Sequence, residues 1–312
     1  MRNQPGAQSE HPGSTARGYD AAGHYGVTGS ARMQARALER EFGLQEISSW
    51  PIAAPARFTA SCSSCPAPAP RATMIAQLAA DQRVESVQPL NEFKTESEPD
   101  LPRVAPDVDP VLVPYNDPYA KLQVSLRELA VVAAQRPLTR RGRAGCGDRY
   151  RGGLRSSGPE GAGDCTPQFV DADDLRFQHD MHGTEVSGVI AAVADNGIGI
   201  VGIAPDARVI ALKACWQAGL GSAAVCNSFT LAQALQAAIV AHADIVNMSL
   251  AGPADPLLAR LVKHGAMQGM IFVAAAGRAA GNSFPADLDE VLAVDASEEQ
   301  FRKSTPSVGT RT

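Results

Sequence analysis

The stretch HGTEVSGVIA at 182–191 decides the fold. It places His182 at the opening of a helix of small and branched apolar residues, so the backbone can pack closely behind the imidazole. The ring is then held in one orientation toward a cleft. A general base needs this, because its geometry decides proton transfer before its pKa does. His182 is therefore the predicted catalytic residue, although an isolated histidine is more often an ordinary surface or core residue.

The chain around this stretch alternates short apolar strands with helices rich in alanine and leucine. The predicted segments are Arg208–Lys213, Leu231–Ala241, Asp244–Leu250, Leu257–His264, Met270–Ala276 and Val291–Asp295. This order predicts an α/β fold, with a parallel sheet covered by helices on both faces. Active sites of such sheets lie at the carboxyl ends of the strands, and the motifs fall there.

Four blocks resemble the subtilisin-like serine protease family, the subtilases, and follow one another in the family's order. They are HGTEVSGVIA, NGIGIVGIAP at 196–205, IVNMSLAG at 245–252 and FVAAAG at 272–277. The resemblance implies a serine endopeptidase that acts on protein or peptide substrates. No cofactor and no metal site is predicted.

The third block resembles the strand that lies beside a bound substrate. In the family the backbone of this strand pairs with the substrate as an added strand, and small residues leave room for side chains. The predicted substrate-binding residues are Ser249, Leu250, Ala251 and Gly252. Without the resemblance, Ser249 is a strand end and Asn247 a buried amide.

The fourth block precedes the position of the family's oxyanion-hole asparagine. That position holds Arg278, and Asn282 stands four residues later, before SFPA at 283–286. The long guanidinium fork does not replace a short amide donor, so the oxyanion function of Arg278 is in doubt.

The family's catalytic aspartate is expected upstream of His182, where the chain holds an irregular Gly/Arg-rich tract, 137–165. Codons can be chosen for AGCGDRYRGGL at 144–154 such that a frame shifted by one nucleotide encodes RVAVIDTGVD, which resembles the aspartate strand. We interpret the tract as frame-disrupted. Taken literally, its arginines offer a nucleic-acid-binding arm; they are Arg140, Arg141, Arg143, Arg149, Arg151 and Arg155.

A second irregular tract, 53–70, is predicted to break a strand at Phe58–Pro66. Shifted codons for FTASCSSCP restore an apolar strand, HCVVFELP. The CxxC formed by Cys62 and Cys65 is therefore expected to be neither a redox motif nor a zinc half-site, since no second CxxC completes one.

The nucleophile motif is expected well after Pro285, and none of Ser297, Ser304 or Ser307 has its context. The resemblance thus predicts a subtilase truncated before the nucleophile and inactive as written. The alternative is a non-catalytic peptide-binding or inhibitory relic that uses the edge at 249–252.

Four segments are predicted along the chain: a disordered segment at 1–30, a small α+β unit at 31–96, a linker at 97–118 and a partial protease domain at 119–312. The small unit contains helices at Ala31–Phe42 and Arg71–Ala80 and strands at Leu44–Pro51 and Arg83–Leu90. The end of this unit resembles the propeptide of subtilases, a partner in cis. The plain alternative is a small domain with no special role.

Charge and hydropathy bound the partners and the location. The net charge of −5 argues against nucleic acid and membrane surfaces as partners, and no apolar run is long enough to span a membrane. The family implies a secreted or periplasmic protein. Residues 1–30 lack the apolar segment of a signal peptide, so a cytoplasmic location is expected if the chain is made as written.

Cys215 and Cys226 form the disulfide candidate. Ten residues with two glycines separate them, and this loop can fold back on itself. A disulfide would fit an exported protease. Two buried free thiols are the alternative.

Overall fold

The chain divides into two units, Met1–Leu90 and Asn91–Thr312. The computed structural model describes residues 29–52, 58–65, 70–96, 114–123, 125–126, 129, 131, 169–170, 181–217, 222–277 and 282–295. The irregular tract 137–165 and most of the segments predicted at 1–30 and 97–118 lie outside these residues.

The first unit contains two helices and two strands. They are α1 Gly29–Phe42, β1 Gln45–Ile52, β2 Phe58–Ser64 and α2 Arg71–Ala79. Helix α1 buries Ala31, Ala35 and Leu38. Met33 of the same helix is 69% exposed.

Strand β2 corrects the expectation that the irregular tract breaks a strand. Residues Phe58–Ser64 pair antiparallel with β1 over its length, with Ile52 opposite Phe58 and Gln45 opposite Ser64. Only the start of β2 is buried, since Phe58 is 5% and Thr59 1% exposed. Because the ladder uses main-chain groups, two buried residues at one end are enough for this polar sequence to form a strand.

The strand predicted at Arg83–Leu90 is wrong, because the segment begins in a turn. The Asp81 carboxylate accepts hydrogen bonds from the Arg83 backbone N–H (2.8 Å) and from its Nε (2.9 Å). These bonds lower the pKa of Asp81 to about 2. Pro89 further removes one main-chain donor from the segment.

The second unit contains the remaining elements. They are β3 Glu92–Thr95, a 3₁₀ turn Ala120–Leu122, α3 Met181–Ala191, β4 Cys215–Trp216, β5 Val225–Asn227, α4 Ser228–Val240, β6 Ile245–Met248, β7 Leu250–Ala251, α5 Pro256–Met267, β8 Ile271–Ala275 and β9 Val291–Val294. Strands β6, β8 and β9 form a parallel sheet with β8 in the centre. Helices α4 and α5 contact each other, and α5 packs on β8. The predicted α/β fold is confirmed.

One part of the core of this unit lies between α5 and the parallel sheet. Leu261 and Val262 are fully buried and Phe272 is 1% exposed. A Cβ at Gly265 would lie 2.6 Å from the Phe272 ring, so the absence of a side chain lets the helix approach the sheet.

The segment predicted as one strand at Asp244–Leu250 is two strands in different sheets. Strand β6 belongs to the parallel sheet, whereas β7 joins a second, antiparallel sheet of order β4-β5-β3-β7. The chain therefore passes between the sheets at Ser249, at the carboxyl end of β6.

The strand predicted at Arg208–Lys213 is also wrong. In the described part of the chain, Lys213 forms an isolated bridge, its carbonyl accepts a hydrogen bond from Phe169 (3.0 Å), and a continuous strand begins only at Cys215. Apolar periodicity does not make a strand where a neighbouring strand does not pair along it.

Two segments assigned elsewhere belong to the second unit. Strand β3 lies in it, because the second unit begins at Asn91. In the predicted linker, the Asp117 carboxylate accepts from the Asp195 and Asn196 backbone N–H groups (2.7 and 3.1 Å). These bonds hold the loop after α3, where Asp195 and Gly197 have positive φ (58° and 72°).

None of the described helices has the length and apolar character needed to cross a membrane.

Candidate functional site

Strand β3 lies between β5 and β7 and pairs antiparallel with both. The Thr95 N–H donates to the Ala224 carbonyl (2.9 Å), and the Glu96 N–H donates to the Ser249 carbonyl (3.1 Å). The Thr95 hydroxyl in turn accepts from the Ala224 N–H (2.9 Å). Hydrogen bonds to neighbours on both sides satisfy the main chain of a short segment that is far from its partners in sequence.

One side chain of β3, Phe93, fills a closed apolar pocket. It is fully buried, and its ring centroid lies 6.0 Å from that of Phe284 at a tilt of 51°. A Cβ at Gly252 would lie 2.3 Å from the Phe93 ring. The pocket therefore depends on glycine at 252, which is also bonded to Phe284 through both main-chain groups (2.9 and 3.2 Å).

The structure brings the four predicted substrate-binding residues together along β3. Leu250 and Ala251 pair with Thr95 and Lys94, the Ser249 carbonyl accepts from Glu96, and Gly252 borders the Phe93 ring. Asn247 donates from Nδ2 to Ser249 Oγ (2.9 Å), which orients that hydroxyl. The main chain of these residues is thus paired with an extended segment of the same chain.

His182 lies in the first turn of α3 and is half-buried. The loop after the helix packs closely against its last turn, because the Gly202 N–H donates to the Ala192 carbonyl (2.9 Å). A Cβ at Gly202 would lie 2.4 Å from the Ala192 nitrogen. The glycine-punctuated block at 196–205 thus fixes the helix that carries the histidine.

The chain resembles known proteins over its second half. The model of the subtilase family matches residues 157–311. Subtilisin DY from Bacillus licheniformis is 32% identical over 149 residues, which cover 45% of this chain and 52% of subtilisin DY. Thermitase from Thermoactinomyces vulgaris is 31% identical over 159 residues, 49% of this chain and 55% of thermitase. The minor extracellular protease Epr of Bacillus subtilis is 39% identical over 123 residues, 38% of this chain and 18% of that protein.

Residues 157–311 of the chain belong to the subtilase family. The chain spans about half the length of subtilisin DY and of thermitase.

Two elements expected of a subtilase site fall outside the described residues. They are Arg278, at the oxyanion position, and the tract 137–165, where the aspartate was expected. Gly277 and Asn282, on either side of Arg278 in sequence, lie close together, since a Cβ at Gly277 would lie 2.0 Å from the Asn282 carbonyl oxygen. Among the described residues, no three His, Cys, Asp or Glu side chains are grouped closely enough to hold a metal ion.

Cys215 and Cys226 are joined as a disulfide between β4 and β5, with their Cα atoms 4.2 Å apart. Cys226, in β5, is fully buried. It pairs with Cys215 of β4 on one side and with Phe93 of β3 on the other. The bond therefore braces the strand that pairs with β3. In the first unit Cys62 is a free thiol whose pKa is raised by burial, and Cys65 is exposed.

Sequence reasoning missed β3, the strand that pairs with the predicted substrate-binding residues. Residues 91–96 were assigned to the end of the first unit, although Phe93 and Thr95 alternate with the exposed residues Glu92 and Lys94. That alternation over four residues was the available signal, and it is too short to identify the partner strands.

Proposed function

We propose that the second unit binds an extended peptide as an added strand between β5 and β7, on the scaffold of a serine endopeptidase. The observation that supports this most directly is the position of β3, which is bonded on both sides and buries one aromatic side chain. In such augmentation, main-chain hydrogen bonds supply affinity and pockets for alternate side chains supply selectivity. Extended protein segments are accordingly the proposed ligands.

The bound peptide in this chain is its own. Strand β3 follows directly on the propeptide-like unit, whose end at Leu90 adjoins Asn91. Covalent attachment gives the segment a high effective concentration at the edge. We therefore propose that β3, which follows the propeptide-like unit along the chain, blocks the peptide-binding edge in cis.

The chemistry of the family requires a serine nucleophile, a histidine that takes its proton and an aspartate that orients the histidine. His182 is the proposed proton acceptor. The printed sequence contains no Gly-Thr-Ser or Gly-Ser-Ser string to supply the nucleophile. Without a serine no acyl-enzyme forms, and the loss of one triad member removes most of the rate. These 312 residues are therefore proposed to bind peptide without hydrolysing it.

A fluorophosphonate probe tests this part of the proposal. The purified chain is expected to remain unlabelled and to leave casein intact, while subtilisin under the same conditions is labelled and cleaves it. Labelling of a serine that disappears in His182→Ala would contradict the proposal, because it would reveal a nucleophile activated by that histidine.

The alternative to an inactive protease whose edge is blocked only by its own strand is a retained protein that binds or inhibits through this edge in trans, and the closed pocket around Phe93 favours it. It predicts that a fluorescent peptide with the sequence NEFKTE binds in trans once the chain's own strand is weakened. Binding is expected to Phe93→Ala and not to the unsubstituted chain, measured by fluorescence anisotropy. No binding to either protein would reject the alternative.

A further inference from the structure

Asn91, which precedes β3, is held by side chains from two helix starts. Its backbone N–H donates to Ser228 Oγ (2.9 Å), and its carbonyl accepts from the Ser228 N–H (3.0 Å). Its side-chain Nδ2 donates to Asp255 Oδ2 (3.0 Å) and to the Ala254 carbonyl (3.3 Å). Both the backbone and the amide of Asn91 are thus bound two residues before the buried Phe93.

The two carboxylate oxygens of Asp255 accept hydrogen bonds from different partners. Oδ1 accepts from the Leu257 and Leu258 N–H groups (3.1 and 3.0 Å) and so caps α5. Oδ2 plays no part in the cap and accepts from Ser228 Oγ and from the Asn91 amide. Helix capping alone therefore does not explain the contact with Asn91.

Because Asp255 is buried, its Oδ2 atom selects for a hydrogen-bond donor at position 91. Asp255 is 1% and Ser228 3% exposed. A buried carboxylate is costly unless donors satisfy it. The Asn91 amide supplies one such donor; an apolar side chain there would leave Oδ2 short of a donor, and a carboxylate would repel it.

We infer that Ser228 and Asp255 form a subsite for a side-chain amide in the docked peptide, two residues before the aromatic residue that fills the Phe93 pocket. The inference rests on the proposed docking of a peptide strand and names the ligand more closely: an extended segment with the order amide, any residue, aromatic. Sites built to hydrogen-bond a substrate group strongly reject analogues that lack it.

Amide hydrogen exchange of residues 92–96 in the full chain tests the inference. Asn91→Asp places a carboxylate against Asp255, and Asp255→Asn places one amide donor against another. Each single substitution is expected to speed exchange of Thr95 and Glu96 by about 10- to 100-fold, the loss of a hydrogen bond to a charged group. The exposed neighbour Glu92→Gln is the matched control and should change exchange by less than about threefold.

The double variant separates recognition from general damage. In Asn91→Asp with Asp255→Asn, the donor and acceptor have changed places, so exchange at Thr95 and Glu96 should slow again relative to either single variant. Because Asn caps helices as well as Asp, protection of Leu257 and Leu258 should persist in Asp255→Asn and show that α5 is intact.

Exchange as slow as in the unsubstituted chain in both single variants would overturn the subsite, and so would additive losses in the double variant. If residues 92–96 of the unsubstituted chain exchange at the rate of an unfolded peptide, strand docking itself fails, and the proposed function falls with the subsite.

Discussion

Strands β2 and β3 are both short segments that pair antiparallel, but they are held by different means. Strand β2 has one neighbour, and its last two residues are exposed. Strand β3 has two neighbours, a fully buried aromatic residue and a bound amide at its start. Main-chain pairing alone accepts many sequences, which is why the irregular residues of β2 still form a strand. Side-chain pockets make β3 specific.

Of the substitutions considered, Phe93→Ala should destabilise β3 most. Emptying a closed aromatic pocket typically costs about 3–5 kcal/mol, so the free energy that protects β3 from hydrogen exchange should fall by that order. The neighbouring Glu92→Ala, on the exposed face, should change it by less than about 0.5 kcal/mol. Equal effects of the two substitutions would mean that the pocket does not hold the strand.

Removing the disulfide between β4 and β5 should cause the second largest loss of stability. Reduction, or Cys215→Ser, should destabilise the second unit by roughly 2–3 kcal/mol in thermal unfolding, since it releases a short loop in the unfolded chain. Cys62→Ser in β2 is the matched control and should leave the second unit unchanged. Alkylation of Cys215 and Cys226 in the unfolded, unreduced chain would contradict the bond.

Gly252→Ala should weaken β3 by a smaller amount. The added methyl group would lie 2.3 Å from the Phe93 ring, and overpacking of this kind typically costs about 1–3 kcal/mol. Gly183→Ala, where nothing lies within 4 Å, is the control. Exchange in β3 that is slower in Gly252→Ala than in the unsubstituted chain would show that the pocket has spare room.

The smallest effect concerns the first unit, where a turn replaces a predicted strand. The pKa of Asp81 is lowered to about 2 by its bonds to Arg83. A lowered carboxyl pKa stabilises the folded state above the unfolded value of 3.8, and this stability is lost as the pH falls toward 2. Asp81→Asn should remove this part of the acid sensitivity, followed by circular dichroism between pH 5 and about 2. An unchanged acid transition would show that the turn contributes nothing.

Local periodicity predicted three helices, namely α3 (which carries His182), α4 and α5, and the strands β8 and β9. Each of these elements is specified by residues that are neighbours in sequence. The position of β3 was not predictable in this way. Its contacts join Asn91 to Ser228 and Asp255, which are 137 and 164 residues away. A four-residue alternation does not name its partners, and hydrogen bonds between distant polar side chains leave no periodic trace. The division of the segment 244–250 into β6 and β7 was also not predictable, because both halves are apolar and periodicity does not show that they join different sheets.

The central claim is that residues 92–96 occupy the peptide-binding edge between β5 and β7. Scalar couplings across hydrogen bonds, measured by NMR on the isotope-labelled full chain, test it most directly. The account predicts a coupling from the Thr95 amide nitrogen to the Ala224 carbonyl carbon and another from Glu96 to Ser249. Rapid exchange of both amides, with neither coupling detected while couplings within the β6-β8-β9 sheet are seen, would contradict it.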